Sequence, residues 1–339
     1  MKYRFYLFTL LIFTLTSCEK ASEVEDSQID NAIEFGGLKV SLPSNYNESV
    51  LSLSLSDLQN QFYSSSTVGL LKVKSSEDMG ITLERMASLT DNVLSKYPNL
   101  DSLTANDISI IKRDFIGMDE KSIPENIDVI DSFYTALSRY DLVRALSTEN
   151  LSPSLVRSRV TAEYLGYDLN SEEFWYFVWH PALVSPIKKA TNKAKELTDS
   201  NYPESEKWRD KADAFRHAIW NVLICKYIGE DKNEISDCTE KAKVFTTKHE
   251  TGATKPSWMT DLDWELDKQM DLHNNAQGRK YFESVAWIVK VGLFKVKRVR
   301  APSEEEIVSG IKGKLNSAQK ISTANDANKY PSNLVYIKD

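Results

Sequence analysis

The run Met270-Asp-Leu-His-Asn-Asn275, with Gly278 and Arg279 just beyond it, constrains this chain more than any other stretch. At helical spacing Asp271, Asn274, Asn275, Gly278 and Arg279 share one side, while Met270, His273, Asn274 and Gln277 share another. Two adjacent asparagines are weak helix formers. A helix polar on two sides is neither an ordinary core helix nor an ordinary solvated one. It has to be buried, with its amides and charges hydrogen-bonded to neighbouring elements. Asp271 and His273 cannot both face one point from a regular helix, so the run must either break its helix or divide its labour.

Two neighbouring segments supply partners. Asp213, His217 and Asn221 recur at i, i+4 and i+8, along one helix face, with Arg216 and Trp220 beside them. His249-Glu250 closes the next helical segment. Three of the four histidines thus fall within residues 213–279. Asp213 can accept a hydrogen bond from one ring nitrogen of His217 and leave the other for a metal, a water or a substrate. The expected chemistry is metal-assisted hydrolysis. His217, His249 and either Asp271 or His273 bind a divalent metal such as Zn²⁺. Glu250 is the general base, and Arg216 or Arg279 stabilises a developing anion. Asn221, Asn274 and Asn275 complete the polar set, and a metal-free variant pairs His217 with Asp213. No HExxH or GxSxG signature specifies a named mechanism. The alternative is a non-catalytic protein in which the same residues form a buried structural network.

Apolar stripes predict a mainly α fold, bundle-like, with a few short peripheral strands. Helical spacing runs through residues 81–97, 104–116, 124–146, 185–197, 205–228, 234–249 and 261–291. Gly36-Gly37 suits a hairpin, residues 290–300 alternate as a basic strand, and Ser303-Glu-Glu-Glu306 has the form of a capping box. His180, between Trp179 and Pro181, is expected to be structural. A formal charge of −7 argues against general nucleic-acid binding.

Residues 1–17 read as a signal peptide: Lys2 and Arg4 precede an apolar run, and Leu15-Thr16-Ser17-Cys18 follows it. That ending resembles the lipobox of bacterial lipoproteins. The resemblance implies lipidation of Cys18, a protein exported to the cell envelope, and a membrane as partner through the N-terminal lipid, each buried CH₂ adding about 0.8 kcal/mol. Residues 18–31 then form a tether, 32–165 a mostly helical region, and 166–339 a helical domain carrying the polar motifs. In an oxidising compartment Cys225 and Cys238, on the two arms of a helical hairpin, are a candidate disulfide worth about 3 kcal/mol.

The motifs also resemble those of an uncharacterised bacterial domain family. Its marks are Arg216-His217-Ala218 with Asn221, His249-Glu250, and Met270 to Asn275 with Gly278 and Arg279. The family's occurrence in secreted and toxin-like proteins implies action on extracellular or envelope targets, a small molecule or an envelope component, without an established reaction.

Overall fold

The computed structural model describes residues 32–65, 78–149, 167–230, 232–291 and 296–339. The expected signal peptide, Cys18 and the tether lie outside them. The fold is mainly helical, with short two-stranded sheets. No described helix is long and apolar enough to cross a membrane.

A hairpin, β1 (Ala32–Phe35) and β2 (Leu38–Ser41), turns through Gly36 and Gly37, both at positive φ as a tight two-residue turn demands. Helices α1 (Leu55–Ser65), α2 (Leu83–Leu94), α3 (Ala105–Asp114) and α4 (Ile127–Ser147) follow, with β3 (Asp78–Thr82) leading into α2. Thr104 and Asp107 form a capping box at the start of α3. One apolar cluster, including Val40, Phe115, Ile130 and Phe133, holds β2, α3 and α4 together. The largest core joins Leu58, Phe62 and Met86 to Phe174, Phe215, Ile219 and Phe245, so the stretches before and after residue 165 share a core.

The second half begins with β4 (Asp168–Asn170), antiparallel to β3, and α5 (Ser171–Trp179). Helix α5 takes up the aromatic residues Phe174 to Trp179, ahead of the helix expected over 185–197. Then come α6 (Val184–Asn201), α7 (Lys211–Gly229), α8 (Ile235–Gly252) and α9 (Asp261–Val285). Helix α7 is the hub and packs on α6, α8, α9 and α10 (Glu304–Leu315), the last opened by the Ser303/Glu306 capping box. Its apolar stripe meets the core and its polar stripe meets α8 and α9, so only Lys211, Arg216 and Lys226 escape burial.

Several expected boundaries move. Helix α7 starts at Lys211 rather than at 205, because Asp210 caps it by accepting from the Asp213 N–H and because Lys207 (φ 56°) and Arg209 (φ 63°) are left-handed. Helix α9 ends at Val285. The β-branched residues after it form β5 (Trp287–Val291), paired antiparallel with β6 (Val296–Arg300). Near the C-terminus β8 (Val335–Tyr336) runs parallel to β7 (Gln319–Lys320). The expected disulfide is a correction: Cys225 and Cys238 are both buried free thiols. Each sulfur is turned to a carbonyl instead, Cys225 to that of Cys238 at 3.8 Å and Cys238 to that of Glu234 at 3.3 Å.

Where α7 and α9 cross, a Cβ on Gly278 would stand 2.2 Å from the Ala218 carbonyl oxygen. The glycine and the alanine of two separate motifs are therefore the contact that brings His217 near Asp271. Backbone cannot yield as a flexible side chain would, so Gly278→Ala should destabilise the fold by about 1–3 kcal/mol. A urea-unfolding midpoint unchanged from wild type would show that the crossing does not need this contact.

Candidate functional site

Residues from α7, α8 and α9 meet at one cleft of about 480 Å³, walled by Arg216, His217, His249, Glu250, Asp267 and Asp271 among others. Asp213 lies behind this wall. Asp213, His217 and Asp271 each present one ligand atom, all within 4.8 Å of one another, and this buried group can hold a metal ion. His217 Nε2 stands 3.2 Å from Asp271 Oδ1 and 3.5 Å from Asp213 Oδ1.

A chain of side-chain hydrogen bonds runs behind His217. Arg279 can only donate, and its Nη1 gives to Asn221 Oδ1 at 2.7 Å. Asn221 Nδ2 then gives to Asn275 Oδ1 at 2.7 Å, and Asn275 Nδ2 to Glu250 Oε1 at 3.0 Å. His217 Nδ1 faces that same Asn275 Oδ1 at 3.3 Å and Glu250 Oε1 at 3.6 Å, while Nε2 faces Asp271 Oδ1 and Asp213 Oδ1 with Arg216 Nη2 at 3.4 Å, so both ring nitrogens look onto acceptors. A cation at Nε2 would leave the hydrogen on Nδ1, towards Asn275. Thr246 closes the network by donating to Asn221 Oδ1 at 3.2 Å.

The two carboxyl groups at Nε2 sit in opposite fields. Burial penalises the Asp213 charge, but Arg216, the hydrogen bond with His217 and the Arg209 backbone N–H outweigh it and hold the carboxyl below the usual range. The Arg216 contact, Nη2 to Asp213 Oδ1, is 2.5 Å. Asp271 is pushed well above the usual range by burial and then by the charges of Glu250, Asp213 and Asp267. Its Oδ1 is buried and accepts no hydrogen bond among the described residues.

His249 stands apart from this trio. Its Nδ1 lies 2.9 Å from Glu173 Oε1 and also meets the hydroxyl of Tyr167. Burial opposes its charge, yet the adjacent Glu173 carboxylate holds the imidazole up at about 9. The Trp220 ring separates it from His217, with centroids 5.2 Å and 6.4 Å away. His249 thus shares the cleft without joining the trio. His273 is a clearer correction. Its Nε2 is bonded to the Asn333 carbonyl at 2.8 Å, on the side of α9 away from Asp271, so it is no ligand of that group. The helix stays regular and divides its labour: Asp271 and Asn275 face the site, while His273, Asn274 and Gln277 bind the backbone of residues 331–335.

The remaining expected residues fall into two sets. Arg216 and Glu250 line the cleft, whereas Asn221, Asn275 and Arg279 stand behind His217 and orient it. Asn274 holds Val335 through both of its amide groups and does not reach the site. His180 is structural as expected, its ring tilted at 53° against Tyr176 with centroids 4.7 Å apart, and it is held down at about 4 by burial and then by Lys241.

Sequence reasoning missed two supports. Asn170-x-x-Glu173 is a capping box, and that pattern alone accounts for Glu173 without calling on a histidine. Arg209 lies in an irregular segment expected to be helical. From its left-handed backbone it donates its N–H to Asp213 Oδ2 at 2.6 Å and its Nε to Asp267 Oδ1 at 2.8 Å.

A domain of unknown function, DUF6973, matches residues 174–317, a stretch that contains the trio, Arg216, His249 and Glu250. No curated protein and no solved structure matches the chain.

The His249–Glu173 pair gives stability a definite pH dependence. The folded value of about 9 lies above the ordinary 6.5, so the pair's contribution is fully present below pH 6.5 and lost as pH rises through about 9. Urea unfolding of wild type and His249→Gln across this range should show the gap between them narrowing over that window. A gap that stayed constant would mean the pair does not titrate there.

Proposed function

We propose that the protein is an envelope-tethered lipoprotein whose cleft performs metal-assisted hydrolysis. The observation that carries the metal is the meeting of His217 Nε2 and Asp271 Oδ1 at 3.2 Å. With its hydrogen on Nδ1, His217 offers the Nε2 lone pair, and Asp271 Oδ1 lacks a hydrogen-bond donor, an arrangement that a cation between them relieves. Arg216 supplies positive charge at Asp213, but Asp271 Oδ1 accepts nothing from it. One imidazole nitrogen and two carboxylate oxygens suit a borderline divalent ion such as Zn²⁺, and three protein ligands leave a position open to the cleft.

The bound ion supplies Lewis acidity, drawing the pKa of a coordinated water towards about 7. Around it, Asn275 keeps His217 in the tautomer that offers Nε2. Glu250, in the cleft wall, is the carboxylate available to take a proton from the attacking water, and Arg216 is placed to stabilise developing negative charge. Tethering through Cys18, supported by the lipobox-like Leu-Thr-Ser-Cys, brings the cleft to envelope or extracellular targets. The alternative, a non-catalytic envelope protein, uses the same Arg279–Asn221–Asn275–Glu250 chain purely to lock three helices.

Protein purified without chelator should carry about one divalent ion per chain by elemental analysis, and Asp271→Asn should lose it while remaining folded, since three-ligand sites tolerate little loss. Absence of metal in the wild type, with no change in thermal midpoint on adding Zn²⁺, would favour the structural alternative. Separately, Cys18→Ala should move the protein from the membrane fraction to the soluble fraction of its native host. Unchanged membrane association would remove the lipid anchor.

A further inference from the structure

We infer that Arg216 and His249 form an anion subsite in the cleft, beside the proposed metal position, which takes an oxyanion group of the substrate, phosphoryl or carboxylate. The reaction at that group rests on the reading above, but the binding does not. Both side chains line the same 480 Å³ cleft, and each is held from behind by a carboxylate. Asp213 takes Arg216 Nη2 at 2.5 Å, while 43% of the Arg216 side chain remains exposed. Glu173, itself only 1% exposed, takes His249 Nδ1 at 2.9 Å with Tyr167 against it, which leaves Nε2 as the nitrogen not spent on that pair. A carboxylate fixed at Nδ1 orients an imidazole for use at its other edge.

The two cations also act on each other, for the Arg216 charge works against the His249 charge. An anion seated against both relieves that repulsion and gains charge-assisted hydrogen bonds from each.

The acidic groups near the cleft each face a neighbour of their own. Asp267 is spent on Arg209 Nε, and Glu250 accepts from Asn275. Asp213 is paired with Arg216, and Asp271 faces His217 Nε2 at 3.2 Å. Glu173 neutralises part of the His249 charge, yet it lies on the far side of the ring from the free nitrogen. Beside these carboxylates the cleft offers two cationic donors: the remaining guanidinium N–H groups of Arg216 and the second N–H of an imidazolium.

The test uses protein labelled with ¹⁵N-histidine, as purified and after chelation, titrated with inorganic phosphate and separately with acetate. Millimolar phosphate or acetate should shift the ring resonances of His249 in both samples, and affinity should fall about tenfold in His249→Gln and in Arg216→Lys. Phosphate acting alone narrows the subsite to phosphoryl groups, acetate alone narrows it to carboxylates, and either result supports it. The inference is overturned if neither anion moves the His249 ring, if binding vanishes on chelation, or if both variants bind as wild type does. Should His249→Gln fail to fold, the wild-type ring shifts and Arg216→Lys still decide. Metal content of the same samples is read independently, so loss of the metal reading and loss of the subsite remain distinguishable.

Discussion

The side-chain amide of Asn275 is the interaction on which the rest of the site depends. Its oxygen receives Asn221 from α7 and faces His217, and its nitrogen reaches Glu250 on α8, so one residue of α9 ties three helices. The ends of the chain running through it are groups of fixed role, an arginine that only donates and a carboxylate that only accepts. Between them no amide can flip without losing a bond. Such closure makes a buried polar network specify one geometry rather than tolerate several. It also bears on chemistry, because the Asn275 oxygen gives a hydrogen on His217 Nδ1 an acceptor whenever Nε2 is given to a ligand.

The electrostatics follow from that arrangement. Four carboxyl groups stand close to one imidazole, and the protein gives each a different environment. Asp213 is stabilised by Arg216 and a backbone N–H, Asp267 is paired with Arg209, Glu250 is held by an amide, and Asp271 is left without a donor at Oδ1. Neighbouring acids whose environments push them apart are a common preparation for acid–base or metal chemistry. The aromatic ring of Trp220 touches both His217 and His249, and the charges of Glu250 and Arg216 act on His249 from the other side of the cleft.

Much of this was legible in the residues. Periodicity located α2, α3, α4 and α8 within a few positions, since their apolar stripes and caps agree with one another. The double-sided polarity around Asp271 implied burial against two partners, and the structure supplies both. Other features were hidden for physical reasons. Spacing says which residues share a face but not what the face meets, so His273, on the tail side of α9, looked as much a ligand as Asp271. Glu173 was explained by its cap. Arg209 depends on a left-handed backbone that nothing in its local sequence demands, since only glycine and asparagine announce that conformation.

The strained turn at Arg209 has a consequence for the order in which the molecule becomes competent. A non-glycine residue held at positive φ costs about 1–3 kcal/mol and persists only where its surroundings over-determine it. Here the Arg209 carbonyl is clasped by the backbone N–H groups of Ile337 and Lys338, at 2.8 and 2.9 Å. Those residues are synthesised after every member of the site. Asp213 therefore receives its backbone donor in final form only once a segment more than a hundred positions downstream has docked, so a chain that lacks that segment carries every residue of the cleft and not yet the arrangement.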